Sequence, residues 1–145
     1  MTTHRQFAAL PWIETREGLH ILLITSRDTG RWVIPKGWPK KGCDGAQVAE
    51  LEAFEEAGVS GLIGEGSCGQ FSYRKSLHFF SRVMCEVDVF PLMVTQQRLK
   101  WPERRERRLQ WMLAGEAAAA VREPELSRMI ANFRPGSALL TPAAA

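Results

Sequence analysis

The 145-residue sequence predicts an α/β domain in which sheet is packed between helices, and three observations carry that expectation. Short apolar runs rich in β-branched and aromatic residues recur between turn signals. A helix with both of its ends written into the sequence, Asp44 to Gly58, stands near the middle, and two more helical stretches close the chain. With 45% hydrophobic residues, this length builds one sizeable core rather than two, so residues 1–135 read as a single domain. The small-residue stretch 136–145 reads as a flexible tail.

In chain order, Gln6–Ile13 and His20–Thr25 are short apolar runs separated by the polar turn Glu14–Gly18, which is a hairpin pattern. A second turn, Ser26–Arg31, leads into the strand Trp32-Val33-Ile34, and Pro35-Lys36-Gly37 reads as a tight backbone turn. Asp44 is placed as an N-cap, with Gln47 three residues on able to complete a capping box, and Gly58 supplies the C-terminal stop. Gly61–Gly69 is glycine-rich with interspersed apolar residues, while Phe71–Lys75 and Leu77–Pro91 read as strands. Phe79, Phe80, Val83, Val87, Val89 and Phe90 give the second of these the bias of a buried sheet. Trp111-Met112-Leu113 is a last strand, followed by helices at Gly115–Val121 and Glu123–Phe133.

The chemistry concentrates on the central helix. Glu52, Glu55 and Glu56 fall within an arc of roughly 100°, because positions i, i+3 and i+4 share a face. Like charges so placed repel, and a hard cation such as Mg²⁺ or Mn²⁺ is the natural remedy for clustered carboxylate oxygens. A solvated acidic face is the alternative reading of the acids taken alone. The loop in front of the helix favours the cation, because Lys36, Lys40 and Lys41 set positive charge beside the acids.

This stretch resembles the Nudix hydrolase signature, in which a Gly, five residues, a Glu and seven residues precede the run Arg-Glu-apolar-any-Glu-Glu-any-Gly-apolar. Gly37, Glu52, Ala53, Glu55, Glu56, Gly58 and Val59 match in register, and Trp32 and Pro35 also look like the family. Cys43 stands where the family has Glu and Leu51 where it has Arg, so Glu55 loses a charge-assisted partner on its own helix. The resemblance, which spans residues 5 to 133, implies a Nudix-like α/β/α sandwich with a mixed β-sheet. It further implies hydrolysis of a diphosphate linkage with Mg²⁺ or Mn²⁺ as cofactor. The implied metal ligands are Glu52, Glu56 and the main-chain carbonyl of Lys36, and Glu55 and Glu52 are the implied catalytic acids.

Ser26-Arg27 and Arg31-Trp32 are similar to substrate-contacting pairs in the diphosphoinositol-polyphosphate phosphohydrolase branch. Arg74 and Lys75, near a turn between strands, and the basic run Arg98–Arg108, with Arg104, Arg105, Arg107 and Arg108, are further candidate phosphate partners. His78 reads as an ordinary hydrogen-bonded histidine. A phosphate-rich small molecule, either a diphosphoinositol polyphosphate or a dinucleoside polyphosphate, is therefore the expected substrate. A nucleoside triphosphate or nucleotide-sugar diphosphatase is one alternative, and a non-catalytic Nudix-fold binding module is another. The basic run could also be a solvated loop or a partner surface.

Nucleic acid is not indicated, because only Trp101 and Trp111 accompany the basic run and the net charge is a modest +3. Cys43, Cys68 and Cys85 are odd in number and not closely spaced, so neither a disulfide framework nor a zinc knuckle is expected. A cytoplasmic, reducing setting without secretion or membrane spanning is expected from the cysteines, the lack of a cleavable apolar start and the lack of a long apolar run.

Overall fold

The computed structural model describes residues 3–78 and 81–135; Phe79, Phe80, the His78 side chain and the expected tail 136–145 lie outside the described residues. The first strand, β1 (Thr3–Thr15), turns back into β2 (Gly18–Thr25) through an antiparallel ladder that ends at Thr15↔Gly18. β1 extends beyond the expected Gln6–Ile13 because its other edge pairs in parallel with a late strand, β7 (Ser81–Gln97), from Thr3↔Met84 to Trp12↔Met93. Local alternation cannot reveal such a partner. The edge of β1 facing β2 is shared: β2 takes residues from Trp12 onward, and the short strand β4 (Lys36–Gly37) takes Phe7 and Ala8. Pro35-Lys36-Gly37 is therefore extended and paired rather than a tight turn, with Ala9 N–H donating to the Pro35 carbonyl at 3.0 Å. Between these, β3 (Trp32–Val33) pairs with the end of β2.

Helix α1 (Gly45–Ala57) has the expected capping box between Asp44 and Gln47 and ends at Gly58. Val59–Ile63, which overlaps the start of the glycine-rich stretch Gly61–Gly69, forms a strand, β5, that bulges at Ser60/Gly61 and lies antiparallel to the end of β7. Glycine marks the bulge there rather than a loop. β6 (Gly69–His78) is antiparallel to the first half of β7. Pro91 falls where β7 passes from β6 to β5 as its partner, so the ladder is already interrupted and the strand runs on to Gln97. β8 (Leu109–Leu113) pairs with β2, and α2 (Ala114–Ala120) and α3 (Pro124–Asn132) complete the chain.

Period-two alternation sends Ala8, Leu10 and Trp12 of β1, with Ile21 and Leu23 of β2, to one face, where Leu126, Ile130 and Phe133 cover them. Ala9, Leu22 and Ile24 face the other way, against Ala46, Ala49, Ala53 and Ala57 of α1. The result is the expected α/β/α sandwich with a mixed sheet, since β1 and β7 are parallel and the other pairs antiparallel. The alanine stripe lets α1 lie close to the sheet, which carries the neighbouring Glu52 and Glu56 under cover as well. No helix among the described residues is long and apolar enough to cross a membrane.

The end of α1 is tied to the segment 98–108. Arg98 N–H donates to the Gly58 carbonyl (2.8 Å), Trp101 Nε1–H to the Glu56 carbonyl (3.3 Å) and Glu103 N–H to the Glu55 carbonyl (3.0 Å). Gly58 has φ 69°, and a Cβ there would lie 2.5 Å from the Trp101 ring. Gly58→Ala therefore combines left-handed strain with overpacking, and should destabilise the fold by about 2–4 kcal/mol in urea unfolding. A loss below about 0.5 kcal/mol would show that the Trp101 contact does not constrain this corner.

Candidate active site

A cleft of about 370 Å³ opens between the loop after β2, the β4 segment with residues 38–40 after it, and the outer face of α1. Its floor takes Gln6 from β1 and Tyr73 and Lys75 from β6, and Glu103 and Arg107 close one side. The arc read from the helix is present: Glu52 and Glu56 are buried and Glu55 is half-buried, all lining the cleft.

Each buried acid already has a cationic neighbour. Lys40 Nζ lies 2.9 Å from Glu52 Oε2, and this contact holds the Lys40 ammonium above its usual range. Arg107 Nη2 lies 3.6 Å from Glu56 Oε2. The Lys36 backbone N–H donates a long bond, 3.4 Å, to Glu56 Oε1. Burial pushes the Glu56 carboxyl up to about 8; Arg107 opposes the rise, and the adjoining Glu52 carboxyl adds to it. Burial likewise draws the Lys36 ammonium down to about 8 against the pull of Glu56. Its Nζ stands 5.1 Å from the centroid of the Tyr73 ring, and the Tyr73 hydroxyl donates to Gln6 Oε1.

These residues fit a hard divalent cation. The donors are carboxylate oxygens, and one of the two buried acids is short of positive charge at neutral pH. Gly37 leaves the space: a Cβ there would stand 2.7 Å from Glu52 Oε1. Among the described residues no group of three or more His, Cys, Asp or Glu side chains is arranged to hold a metal ion by itself, so an ion here would need ligands beyond the two carboxylates.

The other expected residues divide into two sets. Ser26, Arg27, Lys36, Lys75 and Arg107 line the cleft. Arg31 instead lies outside it, with Nη1 2.9 Å from Oε2 of the buried Glu123. Arg74 is exposed on the opposite side of β6 from Tyr73 and Lys75, as strand alternation requires. Arg104 stacks over Trp101 with 6.0 Å to the ring centroid, and with Arg105 it faces a separate surface depression. Arg108 lies over Trp32. The basic run therefore sends one arginine, Arg107, into the cleft.

Sequence reasoning missed Glu103, Gln6, Tyr73 and Trp38 as cleft residues. For Glu103 the available signal was its spacing from Arg107, whose Nε it meets at 2.9 Å, four residues on. Leu51, where the signature has arginine, is 41% exposed and packs into no core. The nearest cation to the buried acids from beyond the signature is Arg107, which also donates to the Thr25 carbonyl at 3.2 Å.

No protein-family model matches the chain. Among curated proteins it is 31% identical over 118 residues to Nudix hydrolase 12, mitochondrial, of Arabidopsis thaliana, covering 79% of this chain and 58% of that protein. Nudix hydrolase 16, mitochondrial, of the same plant is 27% identical over 114 residues, covering 77% and 63%. The chain thus spans about six-tenths of the length of these relatives. Among solved structures, the C. elegans Ap4A hydrolase superposes with a TM-score of 0.65 at 17% identity, covering 96% of this chain and 99% of that one. A Nudix hydrolase from Nitrosomonas europaea gives 0.67 at 20% identity, covering 90% and 87%. At these identities the structural likeness establishes the fold.

Because Glu56 holds its proton more tightly folded than unfolded, the metal-free protein should lose stability as pH rises from about 4.5 to about 8. The slope is at most about 1.4 kcal/mol per pH unit. Glu56→Gln removes the titrating group and should flatten this trend in thermal melts with a chelator present. An unchanged slope would show that Glu56 is not the strained acid.

Proposed function

The chain carries the Nudix fold and is a sequence relative of the Nudix hydrolases, and from that premise we propose that it is a metal-dependent hydrolase of a diphosphate linkage in a small phosphorylated substrate. The observation that carries this reading is the buried Glu52–Glu56 pair set against side-chain-free Gly37 at the head of a cleft containing lysines and arginines. Glu52, Glu56 and the Lys36 carbonyl would hold Mg²⁺ or Mn²⁺. The ion supplies neutralisation of the diphosphate oxygens.

Glu55, half-buried on the same helix face, is the acid that takes a proton from the attacking water, with Glu52 next to it able to share the duty. The water oxygen bonds to one phosphorus, and the bond from that phosphorus to the bridging oxygen breaks. The electron pair leaves on the bridging oxygen with the other phosphate. Lys75, Lys36 and Arg27 line the same cleft and would meet the phosphates of a bound substrate. Arg107 holds Glu56 and Glu103 and so fixes the acid cluster from outside the helix.

Charge narrows the substrate. The cleft lining contains five acids (Asp28, Glu52, Glu55, Glu56, Glu103) and five cations (Arg27, Lys36, Lys40, Lys75, Arg107). A lining so balanced suits a short phosphate chain neutralised partly by metal more than it suits a diphosphoinositol polyphosphate, whose phosphates surround one ring. A dinucleoside polyphosphate is therefore the favoured phosphate-rich substrate, and a nucleoside triphosphate or nucleotide sugar remains the second reading. The fold is shared with a protein described as an Ap4A hydrolase, which is compatible with that order. The binding-module reading is disfavoured because all three signature glutamates reach the cleft.

Glu56→Gln should lower Mg²⁺ affinity in calorimetry and turnover together, turnover by about 100-fold or more, a barrier change of about 2.7 kcal/mol. Unchanged metal binding would exclude Glu56 as a ligand. Arg107→Gln should reduce kcat/KM at least about tenfold. The triple substitution of Arg104, Arg105 and Arg108 by glutamine should leave it within about threefold, because those side chains point away from the cleft. Equal losses in the two variants would restore the basic run as a joint phosphate site.

A further inference from the structure

Among the cations of the cleft, Arg27 is the one salt-bridged, among the described residues, to an acid outside the lining. Lys40 meets Glu52, and Arg107 meets Glu56 and Glu103, all of them cleft residues. Arg27 Nη1 instead donates to Glu106 Oε1 at 2.9 Å, and Glu106 lines the separate surface depression with Lys100, Arg104 and Arg105. The backbone sets these two side chains within reach of each other. β2 and β8 pair from His20↔Leu113 to Ile24↔Leu109, and the ladder runs one step further, with Thr25 N–H donating to the Arg108 carbonyl at 3.0 Å. Arg27 and Glu106 stand two residues beyond that last rung, one on each strand's continuation. The loop carrying Arg27 is closed by Ser26 N–H donating to the Arg31 carbonyl at 2.8 Å, and Arg31 ties it to the buried Glu123 at the start of α3.

The two pairs on this loop differ in how readily they part. Glu123 is buried, whereas the Arg27 and Glu106 side chains are 56% and 45% exposed, and an exposed pair is weak and screened by salt. Glu106 also has other cations to turn to, since none of Lys100, Arg104 and Arg105 is salt-bridged among the described residues. We infer that Glu106 is a positioning residue that holds Arg27 in the free protein and gives it up to a substrate phosphate, so that carboxylate and phosphate compete for one guanidinium. This deepens the hydrolase reading and rests on it for what occupies the cleft. A guanidinium takes carboxylate and phosphate oxygens through the same planar fork, so one can replace the other. A phosphate chain met by Lys36 and Lys75 presents its next oxygens to Arg27 at high local concentration and displaces the single carboxylate. Arg27 is thus kept at the cleft before substrate arrives, with a weaker grip on the substrate as the consequence.

The test is a double-mutant cycle on the full chain. Calorimetry with methylenediphosphonate, whose P–C–P bridge is not hydrolysed, in the presence of Mg²⁺ compares wild type, Glu106→Gln, Arg27→Gln and the double variant; thermal melts establish that each is folded. Glu106→Gln should bind the probe about threefold more tightly, because the competitor for Arg27 is gone. Arg27→Gln should bind it at least about threefold more weakly, and adding Glu106→Gln to that variant should change binding by less than about 1.5-fold. A merely structural role for Glu106 would weaken binding, and a general effect of losing one negative charge would persist without Arg27. In turnover of diadenosine tetraphosphate, Glu106→Gln should lower KM and leave kcat within about twofold. Unchanged or weakened probe binding in Glu106→Gln overturns the inference, as does an equal gain in the Arg27→Gln background. A binding cycle that behaves as expected in a protein that hydrolyses no diphosphate substrate would sink the hydrolase reading instead, so the two failures are told apart.

Discussion

Two carboxylates buried one helical turn apart, Glu52 and Glu56, set the problem that the surrounding structure answers. Their helix lies close to the sheet because Ala46, Ala49, Ala53 and Ala57 make its inner face small, and the acids beside that stripe are drawn out of water with it. A buried acid must be protonated or paired. Here pairing comes from Lys40 on the loop ahead of the helix and from Arg107 far along the chain, and burial still leaves Glu56 raised. A divalent ion, as proposed for this site, would relieve that tension.

The segment 98–108 is tied to the problem through two backbone N–H groups and the Trp101 indole N–H. Three hydrogen bonds dock it on the last turn of α1 and on Gly58, and the Trp101 ring lies against Gly58. That docking delivers Arg107 and Glu103 to the cleft while Arg104, Arg105 and Arg108 turn outward. Arg107 does not replace the arginine missing at position 51, since it meets Glu56 and Glu103 rather than Glu55, and Leu51 stays on the surface. The segment acts as a brace for the acid cluster more than as a basic patch.

Acids and cations in the cleft lining are equal in number. Trp38 belongs to that lining, 39% exposed and met edge to face by His4, and Glu52 fills the space beside the Gly37 that precedes it.

By itself the sequence determined the α/β class, the capped helix and its three acids, because capping and helical periodicity act over three or four residues and need no partner. The Nudix signature was legible for the same reason: Gly37 and the glutamates lie within one local stretch. Local signals also placed β2 and the last two helices nearly as they are. Tertiary structure alone decided that β1 lengthens along β7, that Lys36-Gly37 is a strand on β1, and that Val59–Ile63 is a strand despite its glycine. It also decided which cations matter. Arg31, Arg74 and Arg104 looked equivalent to Arg27, Lys75 and Arg107 as charges, but strand alternation and the docking of one segment on α1 sent them to different surfaces. Charge is a property of the residue, whereas direction depends on partners distant in sequence, and only the folded chain brings those partners together.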